Sequence, residues 1–231
     1  MNILTDKIPL LTYYSPSHKI LFDRFFLPSY NQYLSNSFEL VIKTSDQLCN
    51  GEFGSINWNK QMKEKISFVN DFIQLTDAEY VVFSDVDIIF FDDIRYEIIN
   101  ELAHDDIAFQ NDGGELSINH NLCCGFFICK IHSQTRAFFN ALLSNYNDRY
   151  TDQQNMNYFL KNSSGVQYKP LSKRFYNLSR DGRPIWQSGQ DIPFPDLDIL
   201  MYHANFTVGL NSKKHLLENF IDWNELKRKN A

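Results

Sequence analysis

Apolar and polar positions alternate along this chain in blocks that predict strands separated by helices. Ile8 to Thr12 is a short apolar run suited to a buried strand, ending in Tyr13-Tyr14-Ser15-Pro16. A helical stretch follows from about Ser17, and Pro28 is expected to break or kink it. Phe38 to Thr44 alternates like a strand, and 45–57 reads as a polar loop with Gly51 and Gly54. Asn57 to Leu75 reads as a helix whose apolar face is Met62, Ile66, Val69 and Ile73. The strongest strand is Tyr80 to Ser84, which runs into Asp85-Val86-Asp87 and then Ile88 to Phe91. Further along come a helix over Ile94 to Leu102, a strand over Ile107 to Gln110 and a turn at 111–114. A strand over Leu122 to Lys130 precedes two helices, Ser133 to Tyr150 and Asp152 to Leu160. Beyond Gly165 short strands and loops are expected, then a late strand over Ile199 to His203 and a closing helix over Ser212 to Leu226. Strands alternating with helices predict an α/β sheet, and ligands of such sheets collect at the carboxyl ends of the strands.

Composition adds bounds. The chain has 231 residues, 43% hydrophobic and 22% charged, which excludes disordered and collagen-like classes. One domain is expected, 1–231. The formal net charge of −6 argues against general nucleic-acid binding, which needs a basic face. No apolar run approaches the ~18 residues of a membrane-spanning helix, and the polar start lacks the pattern of a signal peptide. Cys49, Cys123, Cys124 and Cys129 show no paired CxxC spacing, so they are expected to be reduced, mostly buried thiols of a cytoplasmic protein.

The most informative segment is Val81-Val82-Phe83-Ser84-Asp85-Val86-Asp87. An apolar strand delivers two carboxylates at its end. Residues two apart on an extended chain share a face, so Asp85 and Asp87 are expected to point together and Val86 into the core. Two hard oxygen ligands side by side suit Mg²⁺ or Mn²⁺. A second Asp-x-Asp, Asp196-Leu197-Asp198, follows a Pro-containing loop and not a buried strand, and is the weaker candidate.

With Cys123-Cys124-Gly125-Phe126-Phe127, Asp152-Gln153, and His203-Ala204-Asn205-Phe206-Thr207-Val208-Gly209 followed by Lys213, the Phe83 to Asp87 segment makes a pattern. In this pattern the chain resembles the nucleotide-diphospho-sugar transferases of the GT-A fold. It looks closest to the plant and algal-virus glycosyltransferases and more distantly similar to the glycogenin-like family. The resemblance covers about Ile8 to Leu217. It implies a Rossmann-like single-domain fold, a mostly parallel central sheet flanked by helices. A nucleotide-binding half would occupy about 1–110 and an acceptor and sugar half about 111–231.

The resemblance also implies a chemistry and a set of roles. A hexosyl- or pentosyltransferase of this kind moves a sugar from a nucleoside diphosphate sugar, UDP-sugar first, to a hydroxyl of a glycan or small acceptor. Asp85, Asp87 and His203 would hold the metal, with Mn²⁺ favoured over Mg²⁺ because imidazole is a ligand. Thr12, Tyr13, Tyr14, Ser15, Lys65, Asp85 and Lys213 would bind the nucleotide, with Lys214 as the competitor of Lys213. One of the two tyrosines is expected to pack in the core, since neighbours on a strand face opposite ways. Asn121, Cys123, Cys124, Gly125 and Gly209 would lie along the donor sugar or acceptor. Asp152 and Gln153 would sit beside the donor sugar, where Asp152 either orients a hydroxyl or acts as base; as a first-turn carboxylate it also favours the helix dipole. Asp112, Glu115 and Asp191 are the fallback bases. Cys123 stands where family members often carry Asn, so donor contacts are expected to differ.

Two other functions fit parts of the pattern. A haloacid-dehalogenase-like phosphatase also uses Asp-x-Asp after an apolar strand, but near the first strand and before a small polar turn; here Ile88-Ile89-Phe90 follow. A non-catalytic sugar-nucleotide-binding module on the same fold is the other reading; Asp85, Asp87 and His203 are all present, so decay of the metal site is not indicated.

Overall fold

The computed structural model describes residues 6–49, 51, 53–113, 121–162, 165–179 and 185–230. Among the described residues, nine strands form two sheets. β1 (Ile8–Tyr14), β2 (Phe38–Thr44), β3 (Tyr80–Ser84), β5 (Ile107–Asn111), β6 (Leu122–Lys130) and β7 (Tyr168–Pro170) make a six-stranded sheet in the order β2-β1-β3-β6-β5-β7. Only β6 runs against the others, so the sheet is mostly parallel, as expected. β4 (Ile88–Phe90), β8 (Phe175–Asn177) and β9 (Met201–His203) make a smaller sheet in the order β4-β9-β8.

Alternation along the strands sends side chains to two apolar layers. Leu10, Val82, Phe126 and Ile128 face one layer, together with Phe22, Phe26, Leu34, Ile98 and Phe220. Leu11, Val81, Phe83, Phe127 and Cys129 face the other, against Ile66, Val69 and Ile73 of α1 (Trp58–Leu75). The helices of that second face also include α3 (Ser133–Ser144) and α4 (Asp152–Asn162), while α2 (Arg95–Leu102) and α5 (Leu210–Asn230) lie on the first. Met62, expected in the apolar face of α1, is only half-buried, and it lines the cavity described below.

Pro28 does not end the first helical stretch. Residues 16–34 wind continuously, with π-helical turns at Phe22–Phe26 and Tyr30–Leu34 on either side of Leu27–Ser29. A wider turn accommodates the proline ring and its missing N–H donor. The buried rings of Phe22, Phe25, Phe26 and Tyr30 hold this stretch on the sheet.

The third helix stops at Ser144, short of the expected Tyr150. The cause lies in the next helix. Buried Asn155 accepts from the Asn147 N–H at 2.8 Å and donates to the carbonyls of Asn147, Tyr150 and Thr151. One side chain thus satisfies the backbone of a link that would otherwise have to stay helical or wet. The closing helix begins earlier than expected, at Leu210. The expected turn at 111–114 and the fallback base Glu115 fall partly or wholly outside the described residues.

Candidate functional site

The chain leaves the large sheet at Ser84 and enters the small sheet at Ile88, so Asp85-Val86-Asp87 is the crossing between them. The Asp85 N–H donates to the Gly125 carbonyl at 2.7 Å, and the Asp87 carbonyl accepts from the Ala204 N–H at 2.9 Å. Val86 is buried in the core as expected. β9 runs antiparallel to β4 with Ile88 opposite His203, which brings the imidazole beside the two carboxylates. Ligand atoms of Asp85, Asp87 and His203 all lie within 4.8 Å of one another. His203 Nε2 is 3.2 Å from Asp87 Oδ1, and both residues are buried. Asp85 is the most open of the three, its side chain 28% exposed.

Gly125 makes this approach sterically feasible. A Cβ at that position would sit 2.5 Å from His203 Cε1 and 2.6 Å from Asp85 Oδ2. The glycine is required by close approach on an ordinary strand. Two carboxylates and an imidazole around a space that a methyl group would fill fit a divalent cation of the Mn²⁺ or Mg²⁺ type.

Two lysines neutralise the acidic centre from opposite sides. Lys213, on α5, ion-pairs with Asp87 Oδ2. Burial pushes the Asp87 carboxyl up, but Lys213 and His203 outweigh it and hold the group well below the usual carboxylate range. Lys65, on α1, is buried and pairs with Asp152 Oδ2 at 2.5 Å and with Asp85 Oδ1 at 3.4 Å. Burial alone would lower the Lys65 ammonium; Asp152 and Asp85 reverse that and hold it well above its ordinary value. Asp85 is raised, with burial outweighing the pull of Lys65 and Asp87 adding to the rise. Lys214, the competitor of Lys213, is absent from the cavity lining.

Asp152 does not cap its helix. Thr151 does: its Oγ1 accepts from the Gln154 N–H at 3.0 Å while Gln154 Oε1 accepts from the Thr151 N–H at 2.9 Å, a reciprocal capping box. Asp152 is thereby free to face Lys65. Gln153 donates to Asp112 Oδ2 at 3.1 Å and to Asn121 Oδ1 at 2.9 Å. Asp112 Oδ1 accepts from Asn177 at 2.9 Å and from Asn205 at 2.6 Å. Burial raises the Asp112 carboxyl, with His203 and the amide N–H groups of Gln153 and Asn205 pulling it back.

All of these groups except Asn177 line one cavity of about 560 Å³, which adjoins a smaller one of about 120 Å³. The structure gathers Lys65, Asp85, Asp87, Asn121, Cys123, Cys124, Gly125, Asp152, Gln153, His203, Gly209 and Lys213 around the larger space. Tyr13, Tyr14 and Ser15 line the smaller one. Thr12 is fully buried in β1 and lies off both linings. Both tyrosines are buried, against the expectation of one. Tyr14 stacks on Phe22 at 4.7 Å, and the Tyr13 hydroxyl joins a network with Ser45, Gln61 and Glu64. Cys123 and Cys124 face opposite sides of β6, and burial pushes both thiols well up, so they are neutral there. All four cysteines are free and buried. Asp198 of the second Asp-x-Asp pairs with Lys227 at the exposed surface, and exposed Asp191 is absent from the cavity lining.

Sequence reasoning missed His18, Trp58 and Gln61, which line the small cavity, and Gln110, which holds His203 Nδ1 at 2.7 Å. Trp58 and Gln61 share a face of α1 with Lys65, and His18 follows Ser15 by three residues, so local spacing carried a signal for them; Gln110 reaches His203 through a chain crossing that no local pattern encodes. No described helix is long and apolar enough to cross a membrane.

Comparison with known proteins matches this architecture. The profile of the nucleotide-diphospho-sugar transferase family matches residues 29–217. No curated protein matches the chain. Among solved structures, the chain is similar to a glycosyltransferase involved in glycosylation of the major capsid of PBCV-1, at 12% identity and a TM-score of 0.61, covering 92% of this chain and 99% of that one. It is also similar to the glycosyltransferase GlyE of Streptococcus pneumoniae TIGR4, at 16% identity and a TM-score of 0.55, covering 94% of this chain but only 61% of GlyE. The chain therefore belongs to the nucleotide-diphospho-sugar transferase family and is a glycosyltransferase of the GT-A fold.

Proposed function

We propose that this protein transfers a sugar, hexosyl or pentosyl, from a nucleoside diphosphate sugar to a hydroxyl of a glycan or small acceptor, with Mn²⁺ or Mg²⁺ as cofactor. The observation that carries the reading is the convergence of Asp85, Asp87 and His203 around the space kept by Gly125. The whole chain acts as one domain, with the nucleotide on the β1 side and the acceptor beyond Asp112. The four free cysteines suit a reducing setting such as the cytoplasm.

When bound at Asp85, Asp87 and His203, the cation supplies positive charge that offsets the charge developing on the departing diphosphate. Lys213 moves from Asp87 to the phosphates, a short excursion for a flexible ammonium. Lys65 stays fixed by Asp152 and contributes a permanent positive potential in a buried setting, where fixed charge acts strongly. Asp152 turns its remaining acceptor capacity to a donor-sugar hydroxyl, an orienting role. Gln153, Asn121 and Cys123 line the adjacent wall. A neutral thiol is a weak hydrogen-bond partner, so Cys123 favours donors that need no strong contact there. The base lies over Ser15, with Trp58 and His18 beside it, because the rings of Tyr13 and Tyr14 are engaged in the core. UDP-sugars are the first donors to try.

A panel of nucleotide sugars assayed for Mn²⁺-dependent release of the nucleoside diphosphate tests this reading without knowledge of the acceptor. One donor is expected to turn over and to lose turnover with chelator. Metal-independent turnover of every active donor would overturn the metal assignment, and tighter binding of GDP than UDP would overturn the base.

A further inference from the structure

We propose that Gln110 is a positioning residue for the reaction, one that fixes which ring nitrogen of His203 carries the proton and so aims the Nε2 lone pair at the cation site. The inference rests on the metal reading above and adds a residue to which no role has been given. Gln110 is fully buried, and so, within 1%, is His203. The Gln110 amide nitrogen donates to two backbone carbonyls, Phe175 O and Tyr176 O, each at 3.2 Å. Carbonyls only accept, so the NH₂ end of the amide must face them. The Oε1 end is then turned the other way, onto His203 Nδ1 at 2.7 Å. An amide oxygen also only accepts, so Nδ1 must carry the hydrogen. With a cation bound the imidazole is neutral, and the second nitrogen is then the one with the free lone pair. That nitrogen, Nε2, faces the Asp87 carboxylate within the Asp85, Asp87 and His203 cluster.

A second observation supports the assignment. β5 pairs with β6 in regular register up to Phe109 and then shifts, with the irregularity falling between Phe109 and Gln110. The extra residues, Cys124 to Phe126, lie on β6, and β5 keeps its alternation, so Gln110 shares the face of Ala108. That face packs against Phe175 and Tyr176, and from it the Gln110 side chain reaches β8 of the small sheet, next to the strand that carries His203. The Cys123 thiol also approaches Nδ1, but at 3.9 Å a weak sulfur partner does not compete with an amide oxygen.

The test measures Mn²⁺ affinity by calorimetry, without donor, for the wild-type protein, Gln110→Met and Gln110→Glu. Met keeps the volume and loses both ends of the amide. Glu keeps the oxygen toward His203 and loses the donors toward β8. Gln110→Met should weaken Mn²⁺ binding by roughly 10–100-fold, the scale of a lost partner behind a metal-ligating histidine. Gln110→Glu should stay within about 3-fold of wild type, or bind more tightly. Equal losses in both variants would mean that the link to β8 matters and the tautomer does not; no loss in either would also overturn the proposal. If the wild-type protein itself binds no Mn²⁺, the metal reading fails first. Nitrogen NMR of histidine-labelled wild-type protein loaded with Cd²⁺ needs no variant at Gln110. The His203 signals, identified by their loss in His203→Gln, should show a protonated Nδ1 and a ligated Nε2; the reverse pattern sinks the proposal outright.

Discussion

Lys65 and Asp152 form a buried ion pair, Nζ to Oδ2 at 2.5 Å, that joins the helix before the Asp-x-Asp strand to the helix carrying Asp152-Gln153. Removing one partner of a buried pair leaves the other charge uncompensated, which typically costs about 3–5 kcal/mol. Asp85 remains 3.4 Å from Lys65 and softens that cost. Asp152→Asn is therefore expected to keep the helix, since Thr151 caps it, and to lower stability by an amount at or below the low end of that range. Transfer should fall by about 10²-fold as the sugar-orienting carboxylate is lost, while metal-dependent nucleotide binding survives. Denaturant titration and a transfer assay on the same variant check both halves. Full stability together with full turnover would contradict the pairing.

Thr151→Ala separates capping from chemistry. It should cost roughly 1 kcal/mol of stability by losing the capping box, with Mn²⁺ affinity unchanged. A loss of metal affinity comparable to that of a ligand variant would show that the helix start, and not Asp152 alone, shapes the cation site.

Gly125→Ala inserts a methyl group between Asp85 and His203. Overpacking of this kind costs about 1–3 kcal/mol where the surroundings must shift. The groups that must shift here are the proposed metal ligands. Mn²⁺ affinity is expected to drop at least tenfold, a drop larger in relative terms than the fall in melting temperature would suggest. Unchanged affinity in calorimetry would mean that the three side chains do not share a cation.

Asp87→Ala should abolish Mn²⁺-dependent binding of a nucleoside diphosphate without unfolding the protein. Retention of full metal-dependent affinity would remove Asp87 from the site.

The same carboxylate makes a pH prediction for the metal-free protein. Burial raises the Asp87 carboxyl, but Lys213 and His203 hold it well below its ordinary value. A group depressed on folding contributes stability above its unfolded value of about 3.9, and that stability is lost as pH falls through the depressed folded value. Asp87→Asn should flatten the acid limb of the stability curve below about pH 4. Parallel acid limbs for the two proteins would show that the carboxylate is not held by its neighbours.

Much of the scaffold was legible because strands here are defined by local apolar runs. β2, β3 and β6 have the bounds that their patterns predict, and the Asp-x-Asp stands at a strand end because Val81 to Phe83 must be buried on both faces. Motif company carried His203, Lys213 and Asp152 toward the same place. Where the sequence misled, a long-range partner had overridden a local rule. Pro28 is tolerated by π turns held under buried aromatic rings, and α3 ends where Asn155 satisfies the following link. Tyr13 and Tyr14 both went inward because Gln61 and Phe22 supply partners on the two faces of β1. The sequence by itself determined the order of elements, the two carboxylates at the end of β3 and the family. Only the tertiary structure decided which atoms meet: that Gly125 leaves room between Asp85 and His203, that Lys65 belongs to Asp152, and that Gln110 stands behind His203. Those contacts join strands and helices distant in the chain, and their distances follow from sheet crossing and burial, which no local spacing of residues records.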